Sequence, residues 1–203
     1  ETPVAGSTYL TEAFTDEAVR FIEESRREPF FLYLSYNAPH APLEAPAPYL
    51  EQIGEFEDGE RRIYLAMVAA LDAGIGRVLD ALDKSDLAEE TLVVLVNDNG
   101  APRSHGINRP FRGHKQSHYE GGIRVPLFVR WPGRLPAGST FAGLVSTLDI
   151  APTMRAAAGI EAHFRNARDA QPAEATLEAV RAAVREDRSP LVRKLALQTL
   201  NIV

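Results

Sequence analysis

Cysteine is absent from the 203 residues. That excludes a disulfide framework, a thiolate metal site and a cysteine nucleophile within this chain, while leaving the redox compartment open. Long apolar runs are missing as well: none reaches the roughly 18 residues that a membrane-spanning helix needs. Glu1 is not a methionine and no signal-peptide pattern follows it, so the chain reads as a mature or excised piece. Nor is there a basic excess. Lys and Arg number 22 against 28 Asp and Glu, a net charge of −6, which argues against general nucleic-acid binding. The composition that remains, 45% hydrophobic and 25% charged, is globular. At this length it allows one full core and a small appendage.

The apolar pattern alternates between strand and helix periods. Phe14, Ala18, Phe21 and Ile22 fall at helical spacing, predicting a helix from Thr11 or Thr15 to about Arg27. Residues 30–35 (FFLYLS) read as a buried strand, followed by the proline-stiffened segment Asn37-Ala38-Pro39-His40-Ala41-Pro42. Residues 43–58 are rich in Pro and Glu and are expected to wrap the surface. Ile63, Met67, Leu71, Ile75, Val78 and Leu82 make one stripe of a helix over 59–83. A strand is expected at 91–97, another at 126–131 and a short one at 144–149. A helix at 150–158 ends at Gly159. Strands alternating with helices imply an α/β sheet. Beyond about residue 160 the chain becomes rich in Ala, Leu and Arg. Pro190 divides it into two expected helices, 173–186 and 190–202, an appended helical hairpin.

Residues 98–124, DNGAPRSHGINRPFRGHKQSHYEGGIR, concentrate the chemistry. Asp98 and Asn99 directly follow the apolar run 92–96, at the strand end where α/β sheets bind ligands. Between 101 and 124 stand Arg103, Arg109, Arg112, Lys115 and Arg124, with His105, His114 and His118; Glu120 is the only acid. In an acidic chain this inversion is local. Oxygen donors suited to a hard cation, beside a cationic loop, point to chemistry on an oxyanion. Asn99-Gly100 alone would equally serve as a tight turn, and a basic loop alone is usually just solvated.

With these motifs together, the chain resembles a sulfatase of the arylsulfatase type, in the alkaline-phosphatase superfamily. The resemblance runs through Tyr9-Leu10-Thr11, through residues 29–42 with Pro39-His40-Ala41-Pro42, through Asp98-Asn99-Gly100 and through Arg112-Gly113-His114-Lys115. It continues in residues 119–126 and in Leu148-Asp149-Ile150-Ala151-Pro152-Thr153, and covers about 1–160. It implies part of an alkaline-phosphatase-like α/β sandwich with a mostly parallel or mixed sheet, residues 1–160 being a partial catalytic domain. Residues 161–203 form the helical tail, whose Asp187, Pro190, Val192, Arg193, Ala196 and Leu200 resemble the start of a HEAT-type repeat able to dock further repeats or a protein.

The resemblance also implies roles. Asp98 and Asn99 would ligate a divalent cation, Ca2+ in most of the family, with Mg2+ as the alternative. Lys115 is similar to the lysine that binds the sulfate group, and His40 to the histidine that contacts the ester near its leaving oxygen. Arg112 and His114 flank Lys115, within reach of substrate or as braces of the loop, and Glu120 and Arg124 are expected to make structural contacts beneath it. In this family sulfur is attacked by a formylglycine made within a C/S-x-P-x-R motif. No such motif occurs here: Ser189-Pro190-Leu191-Val192-Arg193 has its proline one place too early. The family's paired aspartates are missing too. The expected activity is therefore that of a sulfatase fragment, whose parent acts on a sulfate ester, either a small molecule or a sulfated glycan. An extracytoplasmic setting, periplasmic or secreted, is implied. Two other readings stay open: a phosphomonoester or phosphonate hydrolase of the same superfamily, and a non-catalytic module recognising sulfated glycans.

Overall fold

The structure is a computed structural model; it describes residues 9–159 and the backbone of 194–200. Helix α1 (Leu10–Glu24) leads to strand β1 (Phe31–Tyr36), then to α2 (Ala47–Ile53) and the long α3 (Gly59–Lys84). Strand β2 (Thr91–Asn97), the short α4 (Glu120–Ile123), β3 (Leu127–Arg130), α5 (Ile150–Ala157) and β4 (Lys194–Leu200) follow. The sheet runs β1-β4-β2-β3, with β4 parallel to both β1 and β2 and β3 antiparallel to β2.

Strand β2 explains the layering. Val93 joins a core with Ile22, Leu34, Met67, Leu71 and Leu82, where α1 and α3 cover one face of the sheet. Leu92 and Val94 pack with Trp131, Met154 and Ala157 on the other. A strand covered on both faces needs apolar side chains at nearly every position, and 91–97 has them. Helix α3 turns its expected stripe inward: Met67, Leu71, Val78 and Leu82 are buried. Asp58 starts it as N-cap, its carboxylate accepting from the Arg61 N–H at 3.0 Å.

Three expectations change and one, the surface segment 43–58, gains detail. Strand β1 is half covered: Phe31 and Tyr33 are 53% and 47% exposed, because β1 is an edge strand whose second face is open among the described residues. The segment 43–58 contains the short α2, entered through Pro48 near its start, where a proline lacks no helical hydrogen bond. At 144–149 there is no strand but a 3₁₀ turn, Thr147–Asp149. Ser146 and Asp149 form a capping box there, with Ser146 N–H donating to Asp149 Oδ2 at 2.7 Å. Residues 194–200 form an inner strand, where a helix over 190–202 was expected. Leu195, Leu197 and Thr199 alternate with Ala196 and Gln198, a short pattern compatible with either period, and pairing on both sides with β1 and β2 decides it. The expected helix at 173–186 and the HEAT-type resemblance of the tail otherwise lie outside the described residues.

The join between α1, α3 and β1 is tight. Thr15 Oγ1 donates to the Thr11 carbonyl at 2.7 Å and lies 2.8 Å from the Tyr36 hydroxyl. A β-carbon at Gly74 of α3 would meet Thr15 Oγ1 at 2.6 Å and the Tyr36 hydroxyl at 3.2 Å. Burial raises the Tyr36 pKa, with the Thr15 bond opposing. Tyr36 immediately precedes the Asn37–His40 turn, so this contact anchors the site.

Gly74→Ala should therefore destabilise the fold by about 1–3 kcal/mol, the scale of overpacking. Gly76→Ala, whose β-carbon meets nothing within 4 Å, should instead be stabilising by about 0.5–1 kcal/mol through helix propensity. Urea unfolding of both variants checks the pair; equal effects would mean that the α1–α3 contact is loose.

Candidate active site

Because β1 and β2 point the same way, their carboxyl ends open on one edge of the sheet. Asn37 to Ala41 leave β1 there, and Asp98 to Ala101 leave β2. Together with the loop to Pro126 they wall a cavity of about 910 Å³. The His40 N–H donates to the Asn37 carbonyl at 2.9 Å, closing a turn. Its ring Nδ1 is 2.8 Å from the Ala41 carbonyl. A carbonyl only accepts, so Nδ1 carries a proton and Nε2 is the nitrogen left to exchange one.

The loop after β2 folds by packing backbone on backbone. Gly100 N–H donates to Gly122 O at 2.9 Å, and Gly121 N–H to Arg112 O at 2.7 Å. A β-carbon at Gly122 would lie 2.1 Å from the Ser117 carbonyl oxygen, so only glycine fits. Asn108 pins the opposite limb. Its Oδ1 accepts from Ala101 N–H at 2.8 Å and its Nδ2 donates to Ala101 O at 3.0 Å. The same carbonyl accepts the Lys115 N–H at 3.0 Å, so Asn108 fixes the backbone that carries Lys115.

Of the residues singled out in the sequence, Asp98, Asn99, His40, Lys115 and His114 all line the cavity. His114 Nδ1 is 2.7 Å from the Lys115 carbonyl. Arg112 is not in the cavity wall; its guanidinium lies 3.9 Å from the centre of the Tyr119 ring and braces the loop. Arg124 pairs with Glu120 at 3.4 Å and sits 4.6 Å from the Phe111 ring centre, while also reaching the wall. Lys115 makes no ion pair among the described residues. Tyr64, Ile107 and Asn108 also line the wall without having been singled out, as does His105, which the sequence marked only as one of the histidines of the basic loop. Asn108, Ile107 and His105 sit within the basic loop, but Tyr64 comes from α3, a contact no local pattern shows.

Asp98 carries the electrostatics. Crowding around its carboxyl raises the pKa above the ordinary aspartate value, while the Asn99 amide N–H at 2.9 Å and the charges of Lys115 and His40 oppose that shift. Its oxygens and the amide oxygen of Asn99 suit a hard cation in kind. They would supply two ligands to such an ion; among the described residues no group of three or more His, Cys, Asp or Glu is placed to hold a metal. The remaining ligands would be other groups.

Residues 2–160 match the family described as Sulfatase. N-acetylgalactosamine-6-sulfatase of Canis lupus familiaris is 37% identical over 164 residues, 76% of this chain and 30% of that protein. Steryl-sulfatase of Mus musculus is 39% identical over 161 residues, 75% of this chain and 25% of that protein. The structure of Ps i-CgsB in complex with k-i-k-neocarrahexaose is 37% identical with a TM-score of 0.81, covering 88% of this chain and 40% of that one. The chain belongs to the sulfatase family, with an α/β fold of the alkaline-phosphatase-like kind. It spans about 30% of the length of the curated relatives first matched.

A raised carboxyl pKa means that folding favours the neutral form. That contribution is present at low pH and is lost as pH rises through the raised value. In metal-free protein at pH 7 the ionised Asp98 thus costs stability. Asp98→Asn should raise the unfolding midpoint in chelator at pH 7, by a small amount because Asp98 is exposed. The gain should shrink below the carboxylate range. A midpoint lowered at pH 7 would contradict the assignment.

Proposed function

We propose that this chain supplies the cation-binding and leaving-group side of a sulfate-ester hydrolase site. The complete reaction is ROSO3− + H2O → ROH + HSO4−, with sulfate formed on ionisation. The observation that carries this reading is the convergence of His40, from the segment after β1, with Asp98, Asn99 and Lys115, from the loop after β2, on one cavity at the carboxyl ends of the strands.

Lys115, an ammonium without an ion-pair partner, binds the sulfate oxygens and offsets charge that grows on them in the transition state. Protonated at Nε2 as well as Nδ1, His40 gives its Nε2 proton to the departing alkoxide oxygen as the S–O bond breaks. His114, held by its own carbonyl contact, lines the pocket beside Lys115 as a substrate contact. Arg112 acts by bracing. Asp98 and Asn99 would hold Ca2+ or Mg2+, which when bound supplies positive charge to an oxyanion. The nucleophile, a formylglycine in the resembling family, must come from residues other than these, because the chain has neither cysteine nor the motif.

A sulfated saccharide is the favoured substrate class. Two of the names reported above, N-acetylgalactosamine-6-sulfatase and k-i-k-neocarrahexaose, point to sugars, against one, steryl-sulfatase, that points to a sterol. The reading includes an extracytoplasmic site of action. Among the described residues no helix is long and apolar enough to cross a membrane.

Three results test the reading. The purified 203-residue chain should release no sulfate from an aryl sulfate above a heat-killed control; release would mean the nucleophile lies within it. In the complete protein, Lys115→Ala should lower kcat/KM by about 10²-fold, the scale of losing one transition-state donor, and Lys115→Arg should restore only part. His40→Ala should cost more on alkyl or sugar sulfates than on activated aryl sulfates, whose phenolate departs unaided. An equal loss across leaving groups would reduce His40 to a positioning contact. Matched phosphate esters run beside the sulfates separate the phosphohydrolase alternative, and absence of any turnover would favour a binding module.

A further inference from the structure

One wall of the cavity takes no part in the chemistry above. Tyr64 reaches it from the start of α3, and His105 and Ile107 reach it from the basic loop. The His105 and Tyr64 rings lie with centroids 6.2 Å apart and planes tilted by 34°. Glu60, one turn before Tyr64, holds a carboxylate oxygen 3.6 Å from His105 Nδ1. The His105 side chain is 15% exposed, and Nδ1 is buried without a hydrogen bond. Ile107 is 57% exposed. Simple packing does not account for this set. A phenylalanine would fill the space of His105 as well, so packing alone does not call for an imidazole with a carboxylate 3.6 Å from its Nδ1, and an exposed isoleucine in a cavity wall invites apolar cover.

We propose that Tyr64, Ile107 and His105 form the subsite for the pyranose ring of a sulfated saccharide. Tyr64 and Ile107 receive the ring's C–H face, and His105 reads a hydroxyl. The inference deepens the saccharide reading and rests on it. An aromatic ring beside an aliphatic side chain presents the apolar surface that a sugar's C–H face covers. The carboxylate of Glu60 favours the His105 tautomer with its proton on Nδ1, in which Nε2 is an acceptor for a hydroxyl donor. Glu60 is thus a positioning residue, acting through the tautomer of His105. A site built to accept a hydroxyl discriminates strongly against analogues lacking it. An aryl leaving group without hydroxyls gains nothing from His105.

The test compares His105→Phe, His105→Gln and Glu60→Gln in the complete protein. His105→Phe keeps the ring and removes the acceptor; His105→Gln restores an acceptor. On a sulfated monosaccharide, His105→Phe should lower kcat/KM by about 10-fold or more, mainly through KM, the worth of one hydrogen bond to a substrate hydroxyl. The loss on phenyl sulfate should be several-fold smaller. His105→Gln should recover part of the saccharide activity, and Glu60→Gln should fall between. Equal losses on both esters, or no loss, would overturn the subsite. If the unsubstituted protein turns over no sulfate ester, the hydrolase reading fails, and calorimetric titration with the desulfated saccharide decides the subsite. Binding weakened by His105→Phe and partly restored by His105→Gln supports it. No binding, or binding equal in all variants, overturns it.

Discussion

At Gly122 a β-carbon would stand 2.1 Å from the Ser117 carbonyl oxygen, and at Gly121 it would stand 2.3 Å from the Gly113 carbonyl oxygen. Main chain lies directly on main chain there, and the whole cationic loop hangs from that packing. It brings the strand-end segment at Gly100 against Gly122, and Lys115 against Ala101, through backbone hydrogen bonds. These bonds do not depend on flexible side chains, so the backbone that carries Lys115 is held in place at the cavity.

The chain is acidic overall, yet it gathers five Lys/Arg and three His within residues 101–124. Crowding like charges is unfavourable unless some are offset. Arg112 lies over Tyr119 and Arg124 over Phe111, with Glu120 paired to Arg124. These contacts hold the loop's outer cations to its own aromatic and acidic groups. Lys115 keeps no such ion pair among the described residues. Asp98 lines the same cavity, a crowded carboxyl held partly in check by the Asn99 amide, Lys115 and His40.

Where hydrophobic period and strand order agreed, the sequence was readable. Strand β2, helix α3 and the position of Asp98 and Asn99 at a strand end follow from apolar pattern and from the rule that ligands sit at strand ends, whereas His40 and Lys115 stood out only through the family resemblance. Where two local signals competed, it was not. Ser146 and Asp149 close a capping box in a segment that otherwise reads as a strand, and residues 194–200 carry a pattern that either period accepts. Tyr64 and His105 lie 41 positions apart, and their meeting depends on how the loop crosses α3. No spacing rule reports such a contact. Asn108 is equally silent, since its two-way bond to Ala101 appears only once the loop has folded.

The central claim is that His40, Lys115 and the Asp98-Asn99 pair serve one oxyanion. Sulfate titration of the complete protein, followed through the imidazole resonances of its histidines, tests it most directly. Bound sulfate should shift His40 and His114 in parallel with a single affinity while leaving the exposed His118 unmoved, and Lys115→Ala should weaken both responses together. Sulfate that leaves His40 unshifted, or shifts that persist undiminished in Lys115→Ala, would contradict a shared site.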